Sequence, residues 1–566
     1  MKWTHKDCGS SILEIVVNKS GMTEEELLKP KYVSPYSIQY LGDALNIILD
    51  AIDSKTPITI VGDYDADGIT STTILLEAIT FLGGKPKYRL PKRISEGYGI
   101  SMKIINEIPE GLIITVDNGI TAIEEVAEAK CRGLTVLVLD HHMPREDGQI
   151  PAADFVVDPH IYPDNNGYEH YCGAGLALKL TEMALEGFGT EPAKNLLKRA
   201  TALAAIGTIA DVMPLTGDNR RIVKDGLYIM EMDKKCLSAG LRAIMEESGM
   251  YAVTETDIGF KIGPLLNAPG RMYDDGAGLA LETLCLKDRD AAVLAAAELV
   301  SINEMRKNAV ADALRRVEKI IADQCLYGDV PLCVIDPAMP EGIAGVVTGR
   351  LAEQYKVPAF VFSHSSNPDV LKGSGRSYGD VNLKSVVDYA NMWLKRSGGH
   401  AGAAGLSVTV KNYPLMVDAM SDFLSGYEQP DEDEIVYDLE IEAKDIKTVH
   451  FELSKFAPFG EGNPAPVFRI NDVVLSPRAG NYHKFMGKNA EHLKLLGNGF
   501  SAVCFGKAEE YRRMGLPRQV SLVGNLSENV FQYAKEIQVE AIDFTKTKSA
   551  KKASSLMEAL KANGVI

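Results

Sequence analysis

Three alternate aspartates follow a short apolar run in the segment Ile58-Thr-Ile-Val-Gly-Asp63-Tyr-Asp65-Ala-Asp67-Gly68. The run is β-branched, follows Pro57 and precedes a helical pattern from about Thr70 to Phe81, which predicts a buried parallel strand over 58–61. The aspartates then lie at the carboxyl end of this strand, the edge at which open α/β sheets bind their ligands. Three carboxylates crowded there repel one another unless a cation holds them, so the segment predicts a divalent metal site.

Strands that end on polar residues recur further along the chain. Strands are predicted over 112–116, 135–139 and 155–157, and they end on Asp117, on Asp140-His141-His142 and on Asp158. This alternation of strands and helices predicts a doubly wound parallel sheet, in which the strand-end residues meet at one edge.

The residues that converge at this edge form a ligand set of four carboxylates and two imidazoles: Asp63, Asp65, Asp67, Asp117, His141 and His142. A single aspartate after a strand usually caps a helix or forms a turn. Six such groups on one edge favour a metal site instead, and hard oxygen ligands with imidazole suit two bridged ions of Mn²⁺ or Mg²⁺.

The length of 566 residues is too great for one core and predicts several domains. We predict an α/β protein with two α/β lobes joined by a long helix over 288–324, followed by a small β-barrel of short strands. A Pro/Gly loop is expected over 266–272, and glycine-rich loops over 373–377 and 398–405. The predicted segments are a lead-in 1–54, a first α/β lobe 55–286, a connecting helix 287–327, a second lobe 328–428, a barrel 429–545 and a basic tail 546–566.

Composition restricts the class of protein but does not identify a partner. The net charge of −17 argues against a polyanionic ligand, yet a binding groove needs only local basicity, so the charge balance is indecisive. The start of the chain lacks an apolar segment of signal-peptide length, and no apolar run is long enough to span a bilayer. Eight cysteines without a CxxC pair indicate neither a disulfide framework nor a zinc-thiolate site. We therefore expect a cytoplasmic protein without a membrane partner.

The combination of these motifs resembles the DHH phosphoesterase superfamily, and within it the RecJ family of single-strand-specific 5′ to 3′ exonucleases. A bare Asp-His-His would be a weak signal. Here the resemblance covers most of the chain, because further family motifs follow in order: Val116–Gly119, Ala210–Pro214, Leu266–Met272, Ser374–Ser377, Gly398–His400 and Pro458–Pro464. The resemblance implies a DHH catalytic lobe, a DHH-associated lobe and a C-terminal OB-fold.

The resemblance also implies roles for the residues at the sheet edge. Asp65 and Asp117 would hold one metal, and Asp67, Asp117, His141 and Asp211 the other. His142 would lie beside the scissile phosphate as hydrogen-bond donor or acid, so that Asp63, Asp117 and His142 form the catalytic group. Many superfamily members carry a histidine two residues before the position of Asp63, where this chain has Val61. The first metal is therefore expected either to bind more weakly or to be held partly by Asp63.

The resemblance further implies a pocket for a 5′-phosphate formed by Arg93, Arg271, Ser374 and Arg376, with His400 as a further contact to nucleotide phosphate or base. Arginine beside exposed backbone N–H groups suits a terminal phosphate, which offers more acceptor oxygens than an internal diester. The competing interpretation is that these arginines form surface ion pairs with the many acids of the chain.

Aromatic side chains of the C-terminal domain are candidates for base stacking, as in OB-folds that bind single strands: Tyr482, Phe485, Phe531 and Tyr533. Aromatic residues of a small barrel more often belong to its core.

The function that the resemblance implies is a metal-dependent exonuclease that removes mononucleotides from the 5′ end of single-stranded DNA in repair and recombination. Helicase and single-strand-binding proteins are further partners that the resemblance suggests, and we expect a monomer. The alternatives are a DHH phosphoesterase for oligoribonucleotides, phosphoadenosine phosphate or cyclic dinucleotides, and a catalytically dead scaffold. The OB-like segment disfavours the first alternative, and the intact carboxylates and histidines disfavour the second.

Overall fold

The computed structural model describes residues 2–162, 168–250, 252–365, 367–427, 434–531 and 534–547. It contains two compact units, one formed by Lys31–Asp431 and the other by Met1–Pro30 together with Glu432–Ile566. Tyr533, the side chain of Phe531 and the predicted basic tail after residue 547 lie outside the described residues. Within the described part of the chain, no helix combines the length and the apolar character that a bilayer crossing requires.

Helices and strands alternate along most of the chain. The helices are α1 Ile12–Ser20, α2 Glu24–Leu28, α3 Leu41–Asp53, α4 Ala66–Phe81, α5 Met102–Glu107, α6 Ile123–Cys131, α7 Gly173–Ala184, α8 Glu191–Ala210, α9 Gly217–Met232, α10 Ala239–Glu247, α11 Glu255–Asp257, α12 Gly263–Met272, α13 Ala277–Cys285, α14 Arg289–Gln324, α15 Glu341–Tyr355, α16 Leu383–Tyr389, α17 Tyr413–Phe423, α18 Ile446–Ser454 and α19 Ala508–Arg513. The strands are β1 Lys2–His5, β2 Ile58–Val61, β3 Lys87–Arg89, β4 Leu112–Val116, β5 Thr135–Leu139, β6 Phe155–Val157, β7 Leu332–Ile335, β8 Ala359–His364, β9 Val370–Arg376, β10 Leu394–His400, β11 Ala403–Thr409, β12 Glu434–Tyr437, β13 Leu439–Glu442, β14 Phe468–Val474, β15 His483–Met486, β16 His492–Leu496, β17 Phe500–Cys504, β18 Gln519–Phe531 and β19 Ala534–Lys546.

The first lobe is built on a parallel sheet with the strand order β3-β2-β4-β5-β6. Alternate residues of its strands enter two separate hydrophobic cores. Ile58 and Ile114 belong to one core, and Ile113 and Val136 belong to the other. Both faces of the sheet are therefore covered, which confirms the predicted doubly wound α/β fold. The strand order reverses between β2 and β4, and this reversal opens a crevice at the carboxyl ends of the two strands.

A long helix and a second α/β lobe follow the first lobe. Helix α14 is 36 residues long and is capped by Asp288, whose side chain accepts a hydrogen bond from the backbone N–H of Ala291. It runs as one helix, as the scarcity of helix-breaking residues predicted. The sheet of the second lobe has the order β10-β11-β9-β8-β7, in which only β7 and β8 are parallel.

Most residues of the glycine-rich segments of the second lobe lie in strands β9, β10 and β11, so the prediction of loops there was wrong except for the turn at Ala401 and Gly402. A Cβ at Gly373 or Gly375 in β9 would overlap the rings of Phe362 and Phe360 on the neighbouring strand β8. The glycines thus make room for two buried aromatic rings. Because successive side chains of a strand alternate between its faces, Ser374 and Arg376 share the opposite face of β9.

The expected Pro/Gly loop over 266–272 is also wrong, because these residues belong to α12. This helix continues a π-helical turn over Ile258–Ile262 and contains Pro269 in its interior. A proline interrupts one hydrogen bond of a helix but does not end it where the surrounding packing holds the backbone. Gly270 and Arg271 therefore lie on a helix.

The second unit combines both ends of the chain. Its main sheet has seven strands in the order β13-β14-β18-β19-β17-β16-β15, and β1 pairs in parallel with β12. Residues Ile12, Val16, Met22 and Leu27 are buried in the same core as the strands of this sheet. Among the described residues the edge strands β13 and β15 do not pair with each other, so the expected barrel is an open sandwich-like sheet instead. The long hairpin of β18 and β19, thirteen residues in each strand, dominates it.

Candidate metal centre

Strands β2, β4 and β5 deliver the acidic residues to one edge of the first sheet. Asp63, Asp65 and Asp67 follow β2, Asp117 follows β4, and Asp140-His141-His142 follow β5. The crevice between β2 and β4 therefore has carboxylates on both of its sides. This is the position at which doubly wound sheets bind their ligands.

The first cluster consists of Asp63, Asp65 and Asp117, whose ligand atoms lie within 4.8 Å of one another. Asp63 is only 2% exposed, and its Oδ1 has no hydrogen-bond partner among the described residues. Burial and the charge of Asp65 raise the pKa of Asp63 well above its ordinary value. A buried carboxylate oxygen without a donor, beside two further carboxylates, fits a bound cation.

Asp65 belongs to the first cluster and also caps helix α4. It is the N-cap of this helix, and its Oδ1 accepts hydrogen bonds from the backbone N–H groups of Asp67 and Gly68 at 3.1 and 3.0 Å. The cap fixes the orientation of the carboxylate, and the amino end of α4 adds a positive field that favours anions nearby.

The second cluster consists of Asp67, His141 and Asp211, with Asp117 beside it. His141 Nε2 lies 3.0 Å from Asp117 Oδ1, 3.9 Å from Asp67 Oδ2 and 3.7 Å from Asp211 Oδ2. Burial, followed by the charge of His142, lowers the pKa of His141 to about 4, so its imidazole is neutral at physiological pH. Neutral imidazole is the form that binds metal ions. Asp117 belongs to one cluster and contacts the histidine of the other.

Backbone amides orient Asp67 in this cluster. The N–H groups of Gly173 and Ala174, at the start of α7, donate to its carboxylate at 2.7 and 3.0 Å. A Cβ at Gly173 would lie 2.6 Å from the Cβ of Asp117, so only glycine lets α7 approach this closely. Among the described residues, no lysine or arginine forms an ion pair with the five aspartates of the two clusters, Asp63, Asp65, Asp67, Asp117 and Asp211. Their negative charge is thus left for a metal ion to neutralise.

His142 is held beside the clusters by two neighbours. Asp140 is fully buried, and its Oδ1 lies 2.8 Å from His142 Nδ1. Burial alone would lower the pKa of His142, but the hydrogen bond and charge of Asp140 outweigh it and raise this pKa to about 9. The hydroxyl of Tyr98 donates to the backbone oxygen of Asp117 at 2.9 Å and lies 3.1 Å from His142 Nδ1. His142 is therefore oriented and positively charged next to the crevice.

Sequence reasoning missed Tyr98 and the orienting role of Asp140. Tyr98 lies between Gly97 and Gly99, which both have positive φ, and the Gly-Tyr-Gly pattern was the available signal. Val61 is fully buried among apolar residues and directs no polar group into the crevice. Its backbone oxygen accepts a hydrogen bond from Asn118 Nδ2 at 3.0 Å, which ties the end of β2 to the end of β4.

Arg93, Arg271 and Arg376 form a group that we call the arginine group. The guanidinium carbon of Arg93 lies 4.4 Å from the centre of the Tyr64 ring. Burial, followed by the charges of Arg93 and Arg306, lowers the pKa of Arg271 to about 9. Burial and the charge of Arg93 also lower the pKa of Arg376. Within the described part of the chain none of the three pairs with a carboxylate, which contradicts the interpretation as surface ion pairs.

Ser374 lies beside Arg376 of the arginine group, whereas His400 lies farther from it. Ser374 is on the same face of β9 as Arg376, and a Cβ at Gly345 would lie 3.1 Å from its Oγ and 2.7 Å from Arg376 Nη2. His400 is exposed and pairs with Ala403, which pairs in turn with Arg376. It thus lies two strands away from Arg376, roughly 10 Å along the sheet.

Tyr482 and Phe485, two of the candidate stacking residues of the other unit, are half-buried. Arg518 lies 4.4 Å above the Tyr482 ring, and Arg512 lies 4.1 Å above the Phe485 ring. Both rings also pack against the core of that unit. Each of these two rings therefore contacts both the apolar core and an arginine. Phe531 and Tyr533 lie outside the side chains that the structure describes.

Comparison with known families assigns three segments of the chain. Residues 57–208 match the DHH family, N-terminal domain, residues 303–426 match the DHHA1 domain, and residues 437–543 match the RecJ OB domain. The last match confirms the predicted OB domain, although its sheet is not closed.

Curated relatives and solved structures extend the similarity over most of the chain. The single-stranded-DNA-specific exonuclease RecJ of Haemophilus influenzae is 32% identical over 492 residues, which cover 82% of this chain and 82% of that relative. The exonuclease of the same name from Thermus thermophilus is 31% identical over 525 residues, covering 92% of this chain and 73% of the relative. The crystal structure of RecJ in complex with Mn²⁺ from Thermus thermophilus matches with a TM-score of 0.77 at 27% identity, covering 97% of this chain and 80% of that one.

Proposed function

This chain belongs to the RecJ family of single-stranded-DNA-specific exonucleases, and on that premise we propose that it hydrolyses single-stranded DNA from the 5′ end and releases mononucleotides. The observation that carries the proposal is the pair of clusters of possible metal ligands that Asp117 links at the crevice between β2 and β4. Related structures hold Mn²⁺ or Mg²⁺, and the uncompensated carboxylates of this chain fit the same ions.

We assign Asp63, Asp65 and Asp117 to a first metal ion and Asp67, Asp117, His141 and Asp211 to a second. When bound, two such ions lower the pKa of a water molecule and neutralise charge on the reacting phosphate. Asp63 supports the assignment because its orphaned Oδ1 supplies a ligand atom that Val61 lacks. Asp63 and Asp117 thereby belong to the catalytic group together with His142.

His142 acts on the scissile phosphate through its protonated ring. Asp140 at Nδ1 keeps the ring charged and fixes its plane, which leaves Nε2 to donate to a phosphate oxygen. Tyr98 links this ring to the backbone of Asp117, so it positions the histidine relative to both clusters.

The arginine group, with Ser374 and more distantly His400, receives the 5′-phosphate. Three arginines without carboxylate partners in the described chain offer several N–H donors to one anion, and arginine matches phosphate oxygens in bidentate fashion. The negative charge of Asp65 acts on the pKa of Arg271, so this pocket lies close to the first cluster. A nucleotide held there by its 5′-phosphate directs its 3′ side to the clusters, which explains cleavage from the 5′ end.

The experiment that tests this function compares Asp117→Asn with Asp154→Asn. Asp154 precedes β6 at the opposite edge of the same sheet, so it controls for general effects of losing a carboxylate. We expect Asp117→Asn to lower Mn²⁺ binding in calorimetry and to lower nucleotide release from 5′-labelled single strands at least about a thousandfold. Asp154→Asn should change neither quantity by more than about twofold.

A comparison of substrates distinguishes the exonuclease from the alternative phosphoesterase. The wild type should degrade a long single strand and leave a blunt duplex intact. Cleavage restricted to dinucleotides, or an Asp117→Asn variant with unchanged rates, would contradict the proposal.

We propose that the chain acts as a monomer in the cytoplasm, and that a helicase or a single-strand-binding protein supplies the strand. Light scattering during gel filtration, with and without such a protein, tests both statements.

A further inference from the structure

Two more arginines lie beside the arginine group, and no sequence motif included them. Arg306 is on α14 and Arg350 is on α15. Within the described part of the chain neither forms an ion pair with a carboxylate, although the chain carries a net charge of −17. Neighbouring arginines are paired, as Arg315 is with Asp312 and Arg316 with Asp336. Two arginines without acidic partners in an acidic protein indicate a site for an anion.

The positive charge is continuous from the arginine group to these residues. The charge of Arg306 contributes to the lowered pKa of Arg271, and burial together with the charge of Arg350 lowers the pKa of Arg306. Helix α15 connects them geometrically, because Arg271 Nη1 donates to the backbone oxygen of Gly342 at 3.3 Å. The same helix approaches Arg376 at Gly345.

An open groove of about 510 Å³ runs along α15 from this contact. It is lined by Gly345, Val346, Gly349, Arg350, Glu353 and Gln354. Its volume is in the range of sites for small ligands. At Gly345 and Gly349 the helix backbone lies against the side chain of Arg376, because Cβ atoms there would lie 2.7 Å from its Nη2 and 3.8 Å from its Cγ. The groove thus begins at the arginine group, passes Arg350 and ends at the exposed acid Glu353.

We propose that this groove receives the outer phosphates of a strand whose 5′ end carries a di- or triphosphate, with Arg350 of the groove and the neighbouring Arg306 of α14 as their ligands. The inference rests on the proposed exonuclease function, in which the arginine group holds the phosphate attached to the terminal sugar. A monophosphorylated strand ends at that group. An anion that reaches from the arginine group to Arg306 and Arg350 must extend beyond the 5′-phosphate of the terminal nucleotide. The planar guanidinium groups of arginine suit phosphate oxygens as ligands.

The chemistry at the clusters is unchanged by this mode of binding. Water adds its oxygen to the phosphorus of the first internal diester, the bond from this phosphorus to the 3′ oxygen of the terminal nucleotide breaks, and a proton goes to that oxygen. The first product is therefore a nucleoside 5′-triphosphate with a free 3′-hydroxyl, and the shortened strand carries a 5′-phosphate.

The test uses the full-length protein with Mn²⁺ and single strands of one sequence that carry a 5′-hydroxyl, a 5′-monophosphate or a 5′-triphosphate. Release of the first nucleotide is measured as kcat/KM, and its identity is determined by ion-exchange chromatography. For the wild type we expect the triphosphate strand to react within about threefold of the monophosphate strand and to release a nucleoside triphosphate. Arg350→Gln and Arg306→Gln should lower kcat/KM for the triphosphate strand about tenfold each and for the monophosphate strand less than about twofold.

Two variants provide matched controls. Glu353→Gln removes the acid at the outer end of the groove and should raise kcat/KM for the triphosphate strand only. Arg315→Gln changes an arginine of α14 that is already paired, and it should leave both substrates unaffected. Equal losses on both substrates for Arg350→Gln, no loss on either, or release of pyrophosphate would overturn the inference. Failure of the wild type on the monophosphate strand would instead refute the proposed exonuclease function.

Discussion

At the scale of single residues, Asp117 combines a ligand position with an unusual backbone. Its φ of 61° lies in the left-handed region, which costs most residues about 1 kcal/mol or more but is tolerated by Asp and Asn. The turn that this conformation makes brings its carboxylate to both clusters. Substitution by alanine would remove a ligand and strain the backbone together, and Asn is therefore the cleaner replacement.

Glu96 anchors the loop that carries Arg93 and Tyr98. Its carboxylate bonds to Arg89 and Lys103 at 2.8 and 2.9 Å. Burial alone would raise its pKa, but the bonds from Arg89 and Lys103 outweigh burial and lower the pKa of Glu96 to about 2. A pKa below that of the unfolded chain stabilises the fold above about pH 4.5, and this stabilisation is lost as the pH falls towards 2.

We therefore predict that Glu96→Gln lowers the free energy of unfolding by about 2 kcal/mol at about pH 7.5 and by clearly less at about pH 3.5. Thermal unfolding followed by fluorescence at the two pH values measures the difference. Glu110→Gln, which changes a carboxylate without an ion pair in the described chain, serves as the control. A Glu96→Gln penalty that is the same at both pH values would show that the carboxylate is not the stabilising group.

At the scale of elements, β9 presents Ser374 and Arg376 because its glycines accommodate the rings of β8. We predict that Gly375→Ala destabilises the protein by about 1–3 kcal/mol, since its Cβ would overlap the Phe360 ring and lie 3.0 Å from Leu383. Displacement of Arg376 should also reduce the preference for 5′-phosphorylated over 5′-hydroxyl strands. Denaturant unfolding and kcat/KM for the two strands measure the two effects.

The neighbouring strand β11 offers the control for this prediction. A Cβ at Gly405 meets nothing within 4 Å, so Gly405→Ala should alter neither stability nor end preference. The additional substitution Phe360→Leu should restore part of the stability lost in Gly375→Ala. If Gly375→Ala and Gly405→Ala behaved alike, steric overlap with the ring could not be the cause.

Local patterns were sufficient to predict the parallel sheet, α14 and the convergence of the strand-end carboxylates. The β-branched run 58–61 and the alternate aspartates contain this information within a few residues. The glycines of β9 were misread because their role depends on Phe360 and Phe362 of another strand. The position of Pro269 inside α12 likewise depends on surrounding packing. The absence of acidic partners near the described Arg93, Arg271 and Arg376, and the contact of Tyr98 with His142, arise only when distant segments meet.

At the scale of the whole molecule, each of the two compact units contains one of the two tryptophans. Trp3 donates to Asp543 at 3.0 Å, and the partly buried Trp393 packs against the core of the second lobe. Variants that retain only one tryptophan therefore report on one unit each. We predict that Leu27→Ala, which empties a fully buried position, lowers the stability reported by Trp3 by about 2–5 kcal/mol and leaves the Trp393 signal unchanged.

Leu28 provides the matched control for Leu27. It is the next residue of α2 and is 38% exposed, so Leu28→Ala should shift neither signal by more than about 0.5 kcal/mol. Equal shifts of the two tryptophan signals in Leu27→Ala would mean that the units unfold as one.

The two parts of the unit that contains both chain ends are synthesised at different times. Its first thirty residues are synthesised first, but β12, the strand that pairs with β1, begins only at Glu434. At roughly 5–20 residues per second, the roughly 400 residues in between take roughly 20–80 s to make. During this interval Ile12, Val16 and Leu27 have no core to enter, while the metal-binding lobe can already fold. The N-terminal segment thus exposes these apolar side chains to chaperones until its partner strands have been made.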